Sequence, residues 1–167
     1  MSTSLSREVR ATQNPALGAA ILWRFACGYH GQHHQRGFTN LPLSFLVLPM
    51  VLHEPTRMQI EGTQRASGLR AFAAKFSESK NAQQDVLLSI HDRTKAYEGL
   101  TWESLMIAFS TRLLRLERTG ELIPLSTTAP KGLPGSSEKL LKTAEKLGYW
   151  FSAISIHEVS SLLRIRF

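Results

Sequence analysis

Asn14 to Phe25 read NPALGAAILWRF. An Asn side chain can accept the free amide hydrogens of a helix start, and Pro suits the first helical position, so the pair predicts a helix opening at Pro15. Behind it almost every residue is apolar. Only Gly18 and Arg24 break the run, which leaves no wet face of the kind a surface helix keeps. Such a helix either lies at the centre of its own domain or is completed by a second chain. A chain of 167 residues can surround one helix. The expectation is a central helix from Pro15 to about Tyr29, with one end, or the neighbouring FLVLPMVLH segment, meeting a partner.

The rest of the chain supplies the cover. Residues 1–12 read as a loose polar tail and 13–167 as a single helical domain. HGQHHQRGFTN is glycine-rich and polar, a loop. Pro42 opens a second helix in which Leu43, Leu46, Val47, Met50 and Val51 fall at helical spacing, and Pro49 predicts a kink or a split. EPTRMQIEGTQRASG reads as turn and linker. LRAFAAKF then places Leu69, Phe72, Ala73 and Phe76 on one face, and a fourth helix spans about Ala82 to Tyr97. LTWESLMIAFSTRLLRLERTG reads as one helix, with Thr101 as cap and Gly120 as terminator.

ELIPLS is strand-like, and TTAPKGLPGSS is a loop that should jut from the surface. Ser137 caps a last helix carrying Leu140, Leu141, Ala144, Leu147 and Phe151. In the terminal SLLRIRF, Leu163, Ile165 and Phe167 alternate with Arg164 and Arg166, the period of a half-buried strand. The fold class expected is mainly α: a compact helical domain with a small two- or three-stranded sheet, in which ELIPL pairs with the C-terminal strand, and with a winged-helix arrangement as one variant.

Hydrophobic residues make up 43% of the chain and charged ones 20%, the balance of a globular protein. Twenty Lys and Arg against thirteen Asp and Glu give a formal charge of +7, which suits an acidic partner or simply solubility. The single cysteine, Cys27, cannot form an intrachain disulfide, which fits a reducing, cytoplasmic setting. No secretory signal is visible. The longest apolar run, Leu41 to His53, is too short for a membrane span and holds two prolines.

Chemistry is sparse. Cys27, His30, His33 and His34 are the densest group of potential metal ligands, but no second ligand pair accompanies them, and a polar loop explains them as well. No metal, cofactor or catalytic residue is expected, and no phosphate loop, dinucleotide fingerprint, nucleophile elbow or zinc-protease motif is present. His53, His91 and His157 each neighbour a carboxylate, which sequence adjacency does not turn into a dyad. Arg112, Arg115 and Arg118 recur at intervals of three. On a helix followed by a strand and a loop they suggest a winged-helix reader of DNA, or else a solvated face, and Lys139, Lys142 and Lys146 would extend the patch. At the C-terminus, Leu163, Arg164, Ile165, Arg166 and Phe167 form a candidate partner edge if they make an edge strand.

Four stretches in order, QNPALGAAILWRFACGY, LPLSFLVLPMVLHEPTR, LTWESLMIAFSTRLLRLERTGELIPL and AEKLGYWFSAISIHEVSSLLRIRF, resemble the middle component of bacterial three-component ABC systems. The resemblance runs from Gln13 to Phe167. It implies a non-enzymatic accessory subunit of a Lamassu-type antiviral or antiplasmid complex. Its partners would be an SMC-like ABC ATPase that senses abnormal DNA and an effector, often a nuclease. DNA would be met through the complex, without a membrane. Trp23, Arg24, His53, Arg57, Trp150 and Phe151 match the family pattern but carry no catalytic role. The alternative from the residues alone is a free-standing winged-helix regulator.

Overall fold

The structure is a computed structural model that describes residues 14–32, 37–77 and 82–167. The tail expected over residues 1–12 lies outside them, as do His33 and His34. Helix α1 spans Pro15–Gln32, three residues beyond the expected end, and Asn14 caps it as foreseen: its Oδ1 accepts from the amides of Ala16 and Leu17, each at 3.1 Å. Strand β1 is Thr39–Asn40, within the stretch expected to be loop. Helix α2, Leu41–Val51, carries Pro49 in its last turn and stops two residues later. The chain bends at Leu52–His53 and restarts as α3, Glu54–Glu61, so the expected split occurs. Helix α3 thus replaces the first half of the turn and linker expected over EPTRMQIEGTQRASG.

A short 3-10 turn at Arg65–Ser67 leads to α4, Gly68–Ser77, which buries Leu69, Phe72, Ala73 and Phe76. Helix α5 is Ala82–Ala96 and α6 is Glu98–Ser110. Strands β2, Leu114–Leu116, and β3, Glu121–Pro124, form a hairpin. Helix α7, Gly135–Ser152, and α8, Ile156–Leu163, complete the chain.

Several sequence expectations need correction. Helix α6 begins one turn before Thr101, because Tyr97 alone separates it from α5; Thr101 is buried and its hydroxyl donates to the Tyr97 carbonyl at 2.9 Å. It also ends at Ser110. Arg112 takes a left-handed conformation (φ 58°) and the Leu113 amide bonds back to the Ala108 carbonyl at 2.9 Å, which closes the helix end and turns the chain into β2. Arg112, Arg115 and Arg118 therefore form no helical stripe. Gly120 (φ 82°) shapes the hairpin turn and ends no helix.

The first residue of α7 is Gly135, so Ser137 sits inside its first turn and caps nothing. The C-terminal residues form no strand. Ser155 accepts from the Glu158 amide at 3.2 Å and starts α8; Arg164 (φ 53°) ends it in the left-handed region, and the Ile165 amide returns to the Ser160 carbonyl at 3.0 Å. Strand β3 pairs with β1 and β2 instead, in an antiparallel sheet ordered β1-β3-β2, with Thr39 opposite Leu122 and Leu114 opposite Pro124. The succession α1, β1, α2, α6, hairpin, with this strand order, is winged-helix-like, and α3, α4 and α5 are inserted between its second and third helices.

Nine consecutive residues of α1, Ile21 to Tyr29, are buried, so the helix is covered on every side. Its main neighbours are α7 and α6, with α2 and β3 beside them. The α1–α7 crossing is unusually close. A Cβ added at Gly28 would sit 2.1 Å from the Glu145 carbonyl oxygen, and one at Gly148 would sit 2.1 Å from the Phe25 carbonyl oxygen. Phe25 and Phe151 meet edge to face beside this contact, with centroids 5.4 Å apart.

Gly148→Ala therefore destabilises the protein by about 1–3 kcal/mol in urea unfolding, because overpacking against backbone exceeds the roughly 1 kcal/mol that Ala gains in helix propensity. Gly99→Ala is the control: Gly99 lies in α6 with nothing within 4 Å of its would-be Cβ, and the change leaves stability equal or higher.

Candidate partner-binding surfaces

The first surface lies where α2, the end of α5, the start of α6 and the C-terminal residues converge. A groove of about 390 Å³ opens there, floored by Leu41, Phe45, Leu46 and Ile165 and bordered by His91, Lys95, Glu98, Arg166 and Phe167. Helical spacing carries this surface along α6, since Glu98, Trp102 and Met106 are four residues apart on one face. Trp102 is 45% exposed and Met106 63%, and Trp102 meets Phe45 edge to face at 5.0 Å, so the apolar area is shared between α6 and the groove. Phe167, 55% exposed, closes the other end.

The second surface is the β2–β3 hairpin. Arg112, Arg115 and Arg118 are all exposed there, spread over the helix exit, the strand and the turn. Arg115 is paired with Glu117 at 2.7 Å. Strand β2 is an edge, with Leu116 exposed beside the arginines.

The lysines expected to extend this patch are engaged elsewhere. Lys146 donates to the carbonyls of Ile60, Glu61 and Thr63 at 3.1, 3.2 and 3.1 Å, closing the C-terminal end of α3, and burial lowers its pKa. Lys139 pairs with Glu61 at 3.1 Å and Lys142 with Glu138 at 2.7 Å. Of the five C-terminal residues, Leu163 and Ile165 belong to the core, while Arg164, Arg166 and Phe167 are exposed. The spacing of apolar residues was real, but it fills the cap of α8 and not a strand face.

Trp23, Arg24, Arg57 and Trp150, singled out by the resemblance, are bonded within the fold. On α1, the Trp23 indole donates to the Ser126 carbonyl at 2.6 Å, and Arg24 donates to the Thr127 carbonyl at 3.1 Å and pairs with Glu145 of α7. The loop expected to jut outward is thus exposed but tied to α1 at Ser126 and Thr127. Trp150 donates to the Arg65 carbonyl at 2.9 Å, and Arg57 to the Val51 carbonyl at 3.2 Å. Cys27 is buried, its thiol facing the Ser126 carbonyl at 3.3 Å, and burial pushes its pKa up to about 11, so it stays protonated at neutral pH. His30 stacks on Phe38 at 4.6 Å. Among the described residues no group of three or more His, Cys, Asp or Glu could hold a metal ion.

His53 is locked between two partners, Thr56 Oγ1 at 2.8 Å on Nδ1 and the Arg93 guanidinium at 3.3 Å on Nε2. An arginine can only donate, so Nε2 accepts and Nδ1 carries the hydrogen. Protonating Nε2 would set N–H against N–H. Burial, then the charges of Arg93 and Arg57, lower its pKa to about 4. The unfolded chain, with an ordinary histidine near 6.5, takes up a proton that the folded state refuses, so this contribution to stability is full above pH 6.5 and is lost as pH falls toward 4. Thermal unfolding from pH 7 to pH 4 should show a fall in Tm that His53→Gln flattens; an unchanged slope in the variant would exclude His53 as its source.

No helix among the described residues is long and apolar enough to cross a membrane. No curated protein and no solved structure matches the chain. A family model does: the Middle Component 3 of the ABC-three component (ABC-3C) system matches residues 2–167. Matched over nearly its whole length, the chain belongs to the Middle Component 3 family of ABC-three component systems.

Proposed function

We propose that this middle component is a non-enzymatic adaptor in a Lamassu-type antiviral or antiplasmid complex, joining an SMC-like ABC ATPase that senses DNA to an effector subunit, often a nuclease. One observation carries the reading: Trp102, Met106 and Phe167 are large apolar side chains left outside a core that is already closed. Exposed apolar area of this kind, next to a groove, is the usual mark of a protein-binding site. Buried polar side chains such as Arg24, Thr56 and Thr101 are bonded within the fold, which supports a structural role for them.

In this reading the hairpin arginines, Arg112, Arg115 and Arg118, meet DNA phosphates or an acidic partner within the assembled complex. The alternative of a free-standing winged-helix regulator is disfavoured by α6. That helix precedes the hairpin, where a winged helix keeps its recognition helix, yet it turns Glu98, Trp102, Glu103 and Met106 outward. Carboxylates repel phosphate, and none of these residues is an Arg, Lys, Asn or Gln, the side chains that pair two-pronged with guanine or adenine edges.

Co-expression with the other two components should yield a ternary complex, and omitting this chain should leave the ATPase and effector separate on size-exclusion chromatography. Association of those two at full strength without it would overturn the adaptor reading. Replacing Arg112, Arg115 and Arg118 by Ala should weaken DNA binding by the complex across all sequences. The slope of log K against log salt should shrink by about one for each arginine that meets a phosphate.

A further inference from the structure

We propose that the outward face of α6, together with the adjoining groove, takes up an amphipathic helix of one partner subunit, and that this helix carries basic residues along its α6-facing border. The inference rests on the adaptor reading and names the occupant of one surface.

Three features select the occupant. Trp102 and Met106 stand four residues apart on α6, and Trp102 meets Phe45, which floors the groove, so the apolar surface runs from α6 into a trough between helices. A trough of this shape accepts a helix with anchors at i, i+3, i+4 and i+7. The sheet offers little for strand addition here: its edge β2 is in the hairpin, and its other edge, β1, is only two residues long where it leads into Leu41. The charge pattern then sets polarity. In a chain of formal charge +7, the exposed face of α6 carries Glu98 and Glu103 and no cation, and neither carboxylate forms an ion pair among the described residues. Lys95 and Arg166 also line the groove.

A helix lying in the trough would thus place basic side chains against α6 and acidic ones against Lys95 and Arg166, with its apolar stripe on Phe45, Trp102 and Met106. Electrostatic complementarity of this kind selects partner and orientation. A nucleic acid or an anionic lipid surface would meet the α6 carboxylates with like charge.

The test uses the intact chain with its two co-expressed partner components. Trp102→Glu combined with Met106→Glu should reduce capture of one partner at least about tenfold while the other is retained, because an exposed aromatic anchor at the centre of an interface carries much of its energy. Both positions are surface-exposed, and an unchanged Tm of the isolated variant would verify the fold. Glu98→Lys with Glu103→Lys should weaken capture of the same partner, most at low salt. In the wild-type complex, hydrogen exchange should slow over residues 98–106.

Full capture by both double variants would overturn the proposal and leave the adaptor reading intact. Wild-type protein that captures neither partner would overturn the adaptor reading and the proposal together. Tighter DNA binding by the lysine variant with partner capture unchanged would assign the face to nucleic acid. A homodimer of the isolated chain that Met106→Glu dissolves, with partner capture unchanged, would assign it to a second copy.

Discussion

Two glycines let the molecule close. Gly28 of α1 lies against the Glu145 carbonyl of α7, and Gly148 of α7 against the Phe25 carbonyl of α1, at separations no side chain could share. Small residues at a helix crossing let backbones approach and bring the flanking side chains into contact. Those flanks are Phe25 on Phe151 and Arg24 on Glu145. The ion pair is placed between the two helices that the glycines draw together, and Arg24 also holds the Thr127 carbonyl, so the charge buried with α1 is compensated on both sides. The same helix meets α6 at Gly18, where a Cβ would sit 2.1 Å from Ser104 Oγ. With α7 and α6 pressed onto α1, each of these helices has one face inside and one face left over.

The spacing of apolar residues predicted much of this frame. The unbroken apolar run of α1, the periodicity of α2, α4 and α7 and the Asn14 cap are plain in the sequence, and Pro49 marks the split before α3. The misreadings share a cause: a local pattern compatible with two structures was resolved by tertiary context. LLRLERTGEL continues a helical stripe on paper, but Leu-Arg-Leu, a Thr-Gly turn and Glu-Leu-Ile also spell a hairpin, and β1 supplies the third strand that makes the hairpin worthwhile. At the C-terminus the alternation of Leu163 and Ile165 imitated a strand. Ser155 and Glu158 stand at the spacing of a capping box, the signal that would have revealed α8.

The groove was illegible for a different reason. Its walls come from residues 41–46, 91–98 and 165–167, segments whose meeting depends on α5 folding back between them. Composition at each segment is ordinary. The glycine contacts were equally hidden, since Gly28 and Gly148 look like helix-weakening residues until the facing backbone is known. The hairpin arginines could be found by their charge, but their positions could not: a stripe at intervals of three became a helix exit, a strand and a turn.

The opening paradox, a helix that needs cover on every side, resolves within one chain, and this bears on where the partner binds. If α1 depended on another subunit, its apolar surface would be incomplete here; instead Ile21 to Tyr29 are buried without one. Apolar area that remains exposed is therefore surplus to the fold. Trp102 and Met106 could be polar without leaving any core residue uncovered, because the inner face of α6 already buries Leu105 and Ala108. A large side chain kept in water adds no folding stability through burial and carries an aggregation risk. The family gives this chain a place among three components, and the proposed adaptor role would use a surface whose apolar content folding does not require. The hairpin offers mainly charge, suited to long-range attraction that salt weakens. The α6 face offers area that must be dried to be used, suited to a lasting contact. The two lie on either side of one helix exit, since α6 ends at Ser110 and β2 begins at Leu114. The Leu113 amide bonds the Ala108 carbonyl across the closed turn at Arg112, so the end of α6 and the approach to β2 hold a fixed relation to each other.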